Sequence, residues 1–384
     1  MEIIYDYIIA GTGAAGLMMA YRMAGDPYFD NKSILLLERD DKKVNDRTWC
    51  YWEEGDGEWD HLTTKIWNKI YFGSPSFSKV MPLGNYQYKM IRSSIFYSYL
   101  IQEIKKHSSF HLVKSEITGV EENEGVVSVF SHSEVFKGLN LLSSIPDTSV
   151  LNSQAKYPYL KQHFKGWFIK TDKPVFDPEL PVFMDFDLPQ KGHTRFMYSL
   201  PTSPTEALIE YTLFSEDLLS EREYDKALAD YLEKKGISNF TIEETERGNI
   251  PMTCYPFERH NTKNIMYIGS AGGWTKPSTG YTFARTTEIT KKLISFLKSE
   301  GDFTRFSIKN RYWFYDLVLL DVLHNNNETG IEIFTSIFKN NSIRDVFRFL
   351  DEKGSILNDL KILFLTRPIG KFTMSFARRI SFLP

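Results

Sequence analysis

The chain opens on an apolar run, YDYIIA at residues 5–10, of the kind that forms a short buried strand. A glycine-rich turn follows, GTGAAG at residues 11–16. In the next stretch, LMMAYRMAG, apolar residues recur at helical spacing. SILLLERD at residues 33–40 reads as a second buried strand that reaches an acid at Glu38. The order is therefore strand, turn, helix, strand. After Asp40 the alternation breaks into a polar, Trp-rich stretch, NDRTWCYWEEGDGEW. Strand-like runs return at RFMYSLP and ALIEYTLF, and EENEG at residues 121–125 reads as a hairpin turn. A second strand, glycine loop and helix come late, with the strand at 264–268 and the helix at 281–297. From about residue 301 the pattern is helical: RYWFYDLVLLDVL, IEIFTSIFKN, SIRDVFRFL and ILNDLKILFL.

The first glycine motif has a mechanical reading. Gly11 permits the tight turn, and Gly13 lets a phosphate approach the backbone. Ala14 and Ala15 open the helix, and Gly16 lets that helix pack on the strand. The helix N-terminus would face an anionic pyrophosphate, and Glu38, with Arg39 beside it, would reach the ribose hydroxyls. A bare structural turn is the alternative. The late loop, with Gly269, Ser270, Pro277, Thr279, Gly280 and Tyr281, suits the second anchor that the flavin end of FAD requires. It would otherwise be an ordinary connection between a strand and a helix.

Composition narrows the classes. The 384 residues carry a net charge of −3, which argues against bulk electrostatic binding to nucleic acid. No apolar run reaches the ~18 residues of a spanning helix. Two cysteines, Cys50 and Cys254, without metal-type spacing suggest a reducing compartment. The start, Met1-Glu2, argues against a secretory signal. His193 and His260 lack the spacing of a metal pair, and no metal site is expected. One number stands out: 15% of the chain is aromatic.

Several blocks carry a family likeness: DYIIAGTGAAGL, NDRTWCYWE at 45–53, QHFKGWFIKTDKPVFDPELPVFMDF at 162–186, RFMYSLPTSPTEALIEYT at 195–212, and PSTGYTFART around Gly280. On these the sequence resembles the bacterial lycopene β-cyclases, within the flavoproteins that include aromatic hydroxylases and geranylgeranyl reductases. The resemblance implies an α/β (α+β) fold. A Rossmann-like FAD-binding domain of the flavoprotein hydroxylase type would take residues 1–60, 88–150 and 245–300. A β-sheet substrate domain would take 61–87 and 151–244, and a helical part 301–384. Two departures are visible. Relatives carry Gly-Asp where this chain has Gly269-Ser270, and LLSSIPD at 141–147 lacks their acid and Arg-Gly pair.

The resemblance further implies a chemistry. Lycopene or a related acyclic carotenoid is protonated at a terminal double bond, the neighbouring double bond closes a six-membered ring, and a proton leaves. The non-covalent FAD is active in its reduced form, with NAD(P)H as donor, yet no net redox change occurs. Glu210, in LIEYT, matches the general acid of the family, with a solvent-facing strand carboxylate as its alternative reading. Asp185 in VFMDF is the second candidate acid, or a structural hydrogen-bonding group. Arg92 is a candidate cofactor contact or a solvated helix-start residue. Trp49, Phe183 and Tyr211 are candidate walls for the polyene, or core. The tail from Lys361 onward has five basic residues and no acid, interleaved with aromatic and aliphatic side chains. It suits an anionic bilayer surface, as expected of a peripheral protein on the cytoplasmic face of a bacterial membrane, or else a closing helix. The rival activity is a flavin-dependent hydroxylase or polyprenyl reductase acting on an apolar substrate.

Overall fold

The computed structural model describes residues 3–147 and 149–382. In chain order the elements begin β1 (Ile4–Ala10), α1 (Ala14–Ala24), β2 (Ile34–Glu38), β3 (Thr48–Glu54), β4 (Lys65–Trp67), β5 (Lys69–Ser74), β6 (Phe77–Pro82) and β7 (Tyr86–Arg92). Next come α2 (Ser93–Ile104), β8 (Phe110–Lys114), β9 (Ile117–Asn123), β10 (Val126–Ser131), β11 (Val135–Ser143), α3 (Ser149–Asn152), β12 (Tyr159–Thr171), β13 (Val182–Asp185), β14 (Thr194–Pro201) and β15 (Glu206–Ser215). The chain continues with α4 (Glu221–Lys234), β16 (Phe240–Thr253), β17 (Ile265–Tyr267), α5 (Phe283–Ser299) and α6 (Arg311–Asn325). It closes with α7 (Gly330–Asn340), α8 (Ile343–Leu350), α9 (Ile356–Leu365) and α10 (Ile369–Arg379).

Three sheets organise these strands. The first runs β8-β2-β1-β11-β10-β9, with β17 also on β11. Its β8, β2, β1, β11 and β17 are parallel neighbours, and β11-β10-β9 form an antiparallel meander. The β1 and β2 strands are apolar on both faces, as a sheet covered on both sides requires. Helix α1 packs against α2 and α5 over one face, around Met18, Met19, Phe96 and Leu293. The hairpin expected at 121–125 turns at Glu124 and Gly125, both at positive φ.

The second sheet runs β16-β12-β15-β14-β13-β5-β6 and is mainly antiparallel. Helix α4 covers one face through Tyr224, Leu228 and Tyr231, packed on Trp167, Ile209 and Tyr211. The other face meets the C-terminal helices and an aromatic cluster that includes Phe183, Phe186, Phe334 and Phe347. A small sheet, β3-β7-β4, lies between the two parts. Residues 245–253, read from sequence with the nucleotide part, instead continue β16 in the second sheet. The late helix starts at Phe283 rather than 281, because Tyr281 belongs to the loop.

Candidate active site

A cavity of about 710 Å³ is lined from both large sheets. Gly11, Gly13, Ala14, Ala15, Glu38 and Arg39 line it from the first. Gly11 has φ +84°, and a Cβ there would meet Ser144 Oγ at 2.5 Å. A Cβ on Gly16 would fall 2.1 Å from the Gly11 carbonyl oxygen, so Gly16 lies outside the lining and serves helix–strand packing. Gly13 has open space where its Cβ would be. As N-cap of α1 it offers no side-chain cap, and the first turn carries no acid. The helix end is thus left open to an anion. Glu38 Oε2 accepts from Thr12 N at 2.7 Å and Thr12 Oγ1 at 3.0 Å. Burial would raise its pKa, but the hydrogen bonds from Thr12 and Asp40 and the Lys42 charge hold it below the usual range.

The late loop closes the same cavity. Gly269, at φ +60°, would place a Cβ 2.8 Å from Ala15 Cβ, so its lack of a side chain lets the loop press on the start of α1. Ser270, Thr279, Gly280 and Tyr281 also line the space. Pro277 does not: it borders a separate small cavity beside Trp274 and Trp313. Gln162 Oε1 and Thr286 Oγ1, both on residues lining the main cavity, are buried without a hydrogen-bond partner. An open helix N-terminus, a cradle around Gly13 and orphaned polar atoms fit a dinucleotide such as FAD.

The acid end comes from the second sheet. Register aligns Tyr198 with Glu210, Glu210 with Gly166, and Gly166 with Glu246, so one row crosses β14, β15, β12 and β16 on one face. Gly166 separates the two acids. A Cβ there would lie 3.3 Å from Glu246 Cγ and 3.5 Å from Glu210 Cβ. With only hydrogen in that place, the two carboxyls reach across the glycine into hydrogen-bonding contact. Thr212 Oγ1 donates to Glu210 Oε1 at 2.9 Å, and Thr48 Oγ1 donates to Glu246 Oε2 at 2.7 Å.

Burial pushes Glu210 well above the usual carboxylate range, and the neighbouring Glu246 charge adds to it. Glu246 is pushed up to about 7, chiefly by burial, while Thr48 and the Arg92 guanidinium pull it down. Both shifts run upward, so the pair keeps at least one proton near neutrality. Cys50, Tyr88, Tyr198 and Tyr281 line the cavity around it. Burial keeps that thiol and those three phenols protonated, so their neutral faces meet the acids.

Other candidate residues lie elsewhere. Asp185 is buried outside the cavity, accepting from Tyr231 at 3.1 Å and Lys235 at 3.0 Å, and so ties β13 to α4 and the residue after it. Arg92 is also outside the lining. Its guanidinium lies 3.8 Å from the Phe168 ring centroid and pairs with Glu244 at 2.5 Å. Tyr211 points to the opposite face from Glu210, as adjacent strand residues must, and bonds Arg195. Phe183 is core, between Tyr88, Tyr198, Phe338 and Phe347. Trp49 does line the cavity, stacked on Phe283 at 5.0 Å. Sequence reasoning missed Glu246, which sits in the charged run EETERG. In the strand Glu244, Glu246, Gly248 and Ile250 face inward while their neighbours are exposed, an alternation that the charges on both sets of positions hide in the sequence.

Solved structures share this fold. A geranylgeranyl bacteriochlorophyll reductase-like protein from Thermoplasma acidophilum is 14% identical, with TM-score 0.67 over 100% of both chains. A flavin-dependent brominase is 13% identical, with TM-score 0.57 over 91% of this chain and 93% of that one. Among sequence relatives, the lycopene β-cyclase of Pantoea ananas is 23% identical over 301 residues, 76% of this chain and 75% of that protein. The lycopene β-cyclase of a Paracoccus species is 33% identical over 138 residues, spanning only 33% of this chain and 34% of that protein. The chloroplastic lycopene β-cyclase of Arabidopsis thaliana is 24% identical over 317 residues, and the match spans 58% of its length. The sequence model described as lycopene cyclase protein matches residues 6–376. With that match over nearly the whole chain, on a fold shared with flavoproteins, the chain belongs to the lycopene cyclase family.

Proposed function

We propose that the chain closes the ψ-ends of lycopene, or of a related acyclic carotenoid, into β-rings without net redox change, as an FAD-dependent isomerase. The observation that carries this reading is Glu210, a carboxyl paired with Glu246 in an aromatic-walled cavity that also contains the glycine loop, where burial favours its protonated form. Glu210 delivers its proton to the terminal double bond. The π-faces of Tyr88, Tyr198 and Tyr281 are suited to the cation that follows. Gly13 and the first turn of α1 hold the pyrophosphate, Glu38 and Arg39 the ribose end, and Gly269, Ser270, Thr279, Gly280 and Tyr281 the flavin end. Bound FAD, reduced by NAD(P)H, would supply negative charge beside the developing cation. Trp49 and Phe283 exclude water from the wall between the two ends.

A carotenoid comes from lipid, so the chain would work as a peripheral protein on the cytoplasmic face of the membrane. No described helix is long and apolar enough to cross a bilayer. Exposed Ile356, Leu357, Phe364, Met374 and Phe376, with Lys361, Arg367 and Lys371 near them in sequence, suit an anionic surface.

Co-expression with a lycopene-producing pathway, followed by pigment analysis, tests the activity: γ-carotene and then β-carotene are expected, and folded protein with acyclic pigment alone refutes it. Glu210→Gln should lose at least ~100-fold in rate, the scale of a general acid, with FAD still bound. NADPH consumption matched to product would instead favour the oxidoreductase.

A further inference from the structure

The same cavity contains a second carboxyl that the reading above does not use. Glu246 is 7% exposed and lines the cavity. It contacts Glu210 directly across Gly166. An isomerisation started by a proton must also dispose of one. If Glu210 alone gave the proton and took it back, the same carboxylate would have to reach two different carbons of the substrate. Two carboxyls side by side remove that demand.

We propose that Glu246 is the base of the cyclisation and that it returns the proton to Glu210 through their direct contact. This rests on the cyclase reading. The Glu210 O–H bond breaks as a C–H bond forms on the terminal alkene carbon. The neighbouring double bond then attacks the cation, and the C–C bond that closes the ring forms. A ring C–H bond breaks, its electron pair becomes the ring double bond, and its proton goes to the Glu246 carboxylate. Passage of that proton to the Glu210 carboxylate restores the starting state. Atoms and electrons balance with no further reactant.

The surroundings keep the two acids unequal. From β3, Thr48 donates to Glu246, and Cys50 is near both carboxyls. From β7, the Arg92 charge acts on Glu246, and from β16 the Glu244 charge opposes it. From β14 and the late loop, Tyr198 and Tyr281 face Glu210. The Thr48 hydroxyl and the Arg92 guanidinium, the latter partly offset by Glu244, thus favour a carboxylate at Glu246, while neutral phenols face Glu210, which puts the resting proton on Glu210. Arg92 is a positioning residue in this scheme.

The test uses full-length, FAD-loaded protein. Glu246→Gln should lower kcat at least 100-fold, with substrate KM and FAD content within twofold. Its residual product should include rings with the double bond displaced, because water removes the proton in place of a fixed base. Its pH profile should lose the acidic limb that reports ionisation of Glu246. Glu246→Asp should recover part of the rate, and Gly166→Ala, whose Cβ would crowd Leu208 and press on the Glu246 side chain, should lose rate with FAD retained. Carboxyl infrared bands followed against pH should show two coupled titrations in wild type and one in Glu246→Gln. A Glu246→Gln protein with kcat within threefold, only β-ring product and an unchanged profile overturns the proposal. A wild type that shows the coupled bands but never cyclises lycopene overturns the function and the catalytic half of this proposal together.

Discussion

At the residue scale, burial decides which ionisable groups have meaning. Glu210 was singled out by the family motif, since LIEYT alone left a solvent-facing strand carboxylate open; its place on β15 between β14 and β12 half-buries it. Glu246 was not, because a charged run reads as a solvated face and only pairing with β12 buries it. Arg92 was placed at the cofactor from resemblance, but Phe168 and Glu244 hold it behind the acids, a contact no local pattern encodes. Asp351 is a further acid, half-buried, with a checkable consequence. Trp52 Nε1 donates to it at 2.7 Å, and burial pushes it up to about 7. Between its ordinary value and about 7, the folded chain keeps a proton that the unfolded chain has lost. Stability therefore falls as pH rises through that window. Asp351→Asn should raise Tm little at pH 4 and by a few degrees at pH 8, read by thermal scans; a gain independent of pH would contradict this.

At the element scale, the strand–turn–helix units were legible because period and glycine placement are local. The dual identity of β16 was not, since its membership of the second sheet depends on a partner about 80 residues earlier. The late loop is fixed by a charge cluster that joins distant elements. Lys276 Nζ lies 2.8 Å from Asp316 of α6 and 3.2 Å from Glu352, which also pairs with Arg285 of α5. Burial pushes Asp316 up, and the Lys276 charge opposes that. Lys276→Met would leave Asp316 without its cation and should cost about 3–5 kcal/mol in denaturant unfolding. Loosening of the loop should also weaken FAD retention in gel filtration; unchanged stability would mean that Arg285 compensates.

At the scale of the whole molecule, the aromatic excess divides. Trp49, Tyr88, Tyr97, Phe164, Tyr198, Tyr281 and Phe283 line the cavity, while Trp52, Trp167, Phe186 and Phe214 are core. Composition could not separate the two sets, because both need flat apolar side chains. Among the described residues, eight of the 20 exposed large apolar side chains lie between Ile356 and Ile380. Leu357→Glu, Phe364→Glu and Met374→Glu together should lower co-sedimentation with anionic vesicles several-fold. Turnover of detergent-dispersed substrate should persist, and undiminished co-sedimentation would refute a lipid-binding role for these helices.

Helix α10 is not a loose appendage. Arg378 and Arg379 both pair with Asp321 of α6, which is 1% exposed, and Ser375 Oγ donates to the Val318 carbonyl at 2.9 Å. Helix α6 in turn packs on β12 and β16, the strands that carry Gly166 and Glu246. Helix α10 is therefore joined through α6 to the two strands that also carry the acid row. Docking of the tail on a vesicle, as proposed above, would then bear on the second sheet through α6. The depth at which the helix rests would then set the height of the acids above the lipid, as a keel sets the waterline of a hull.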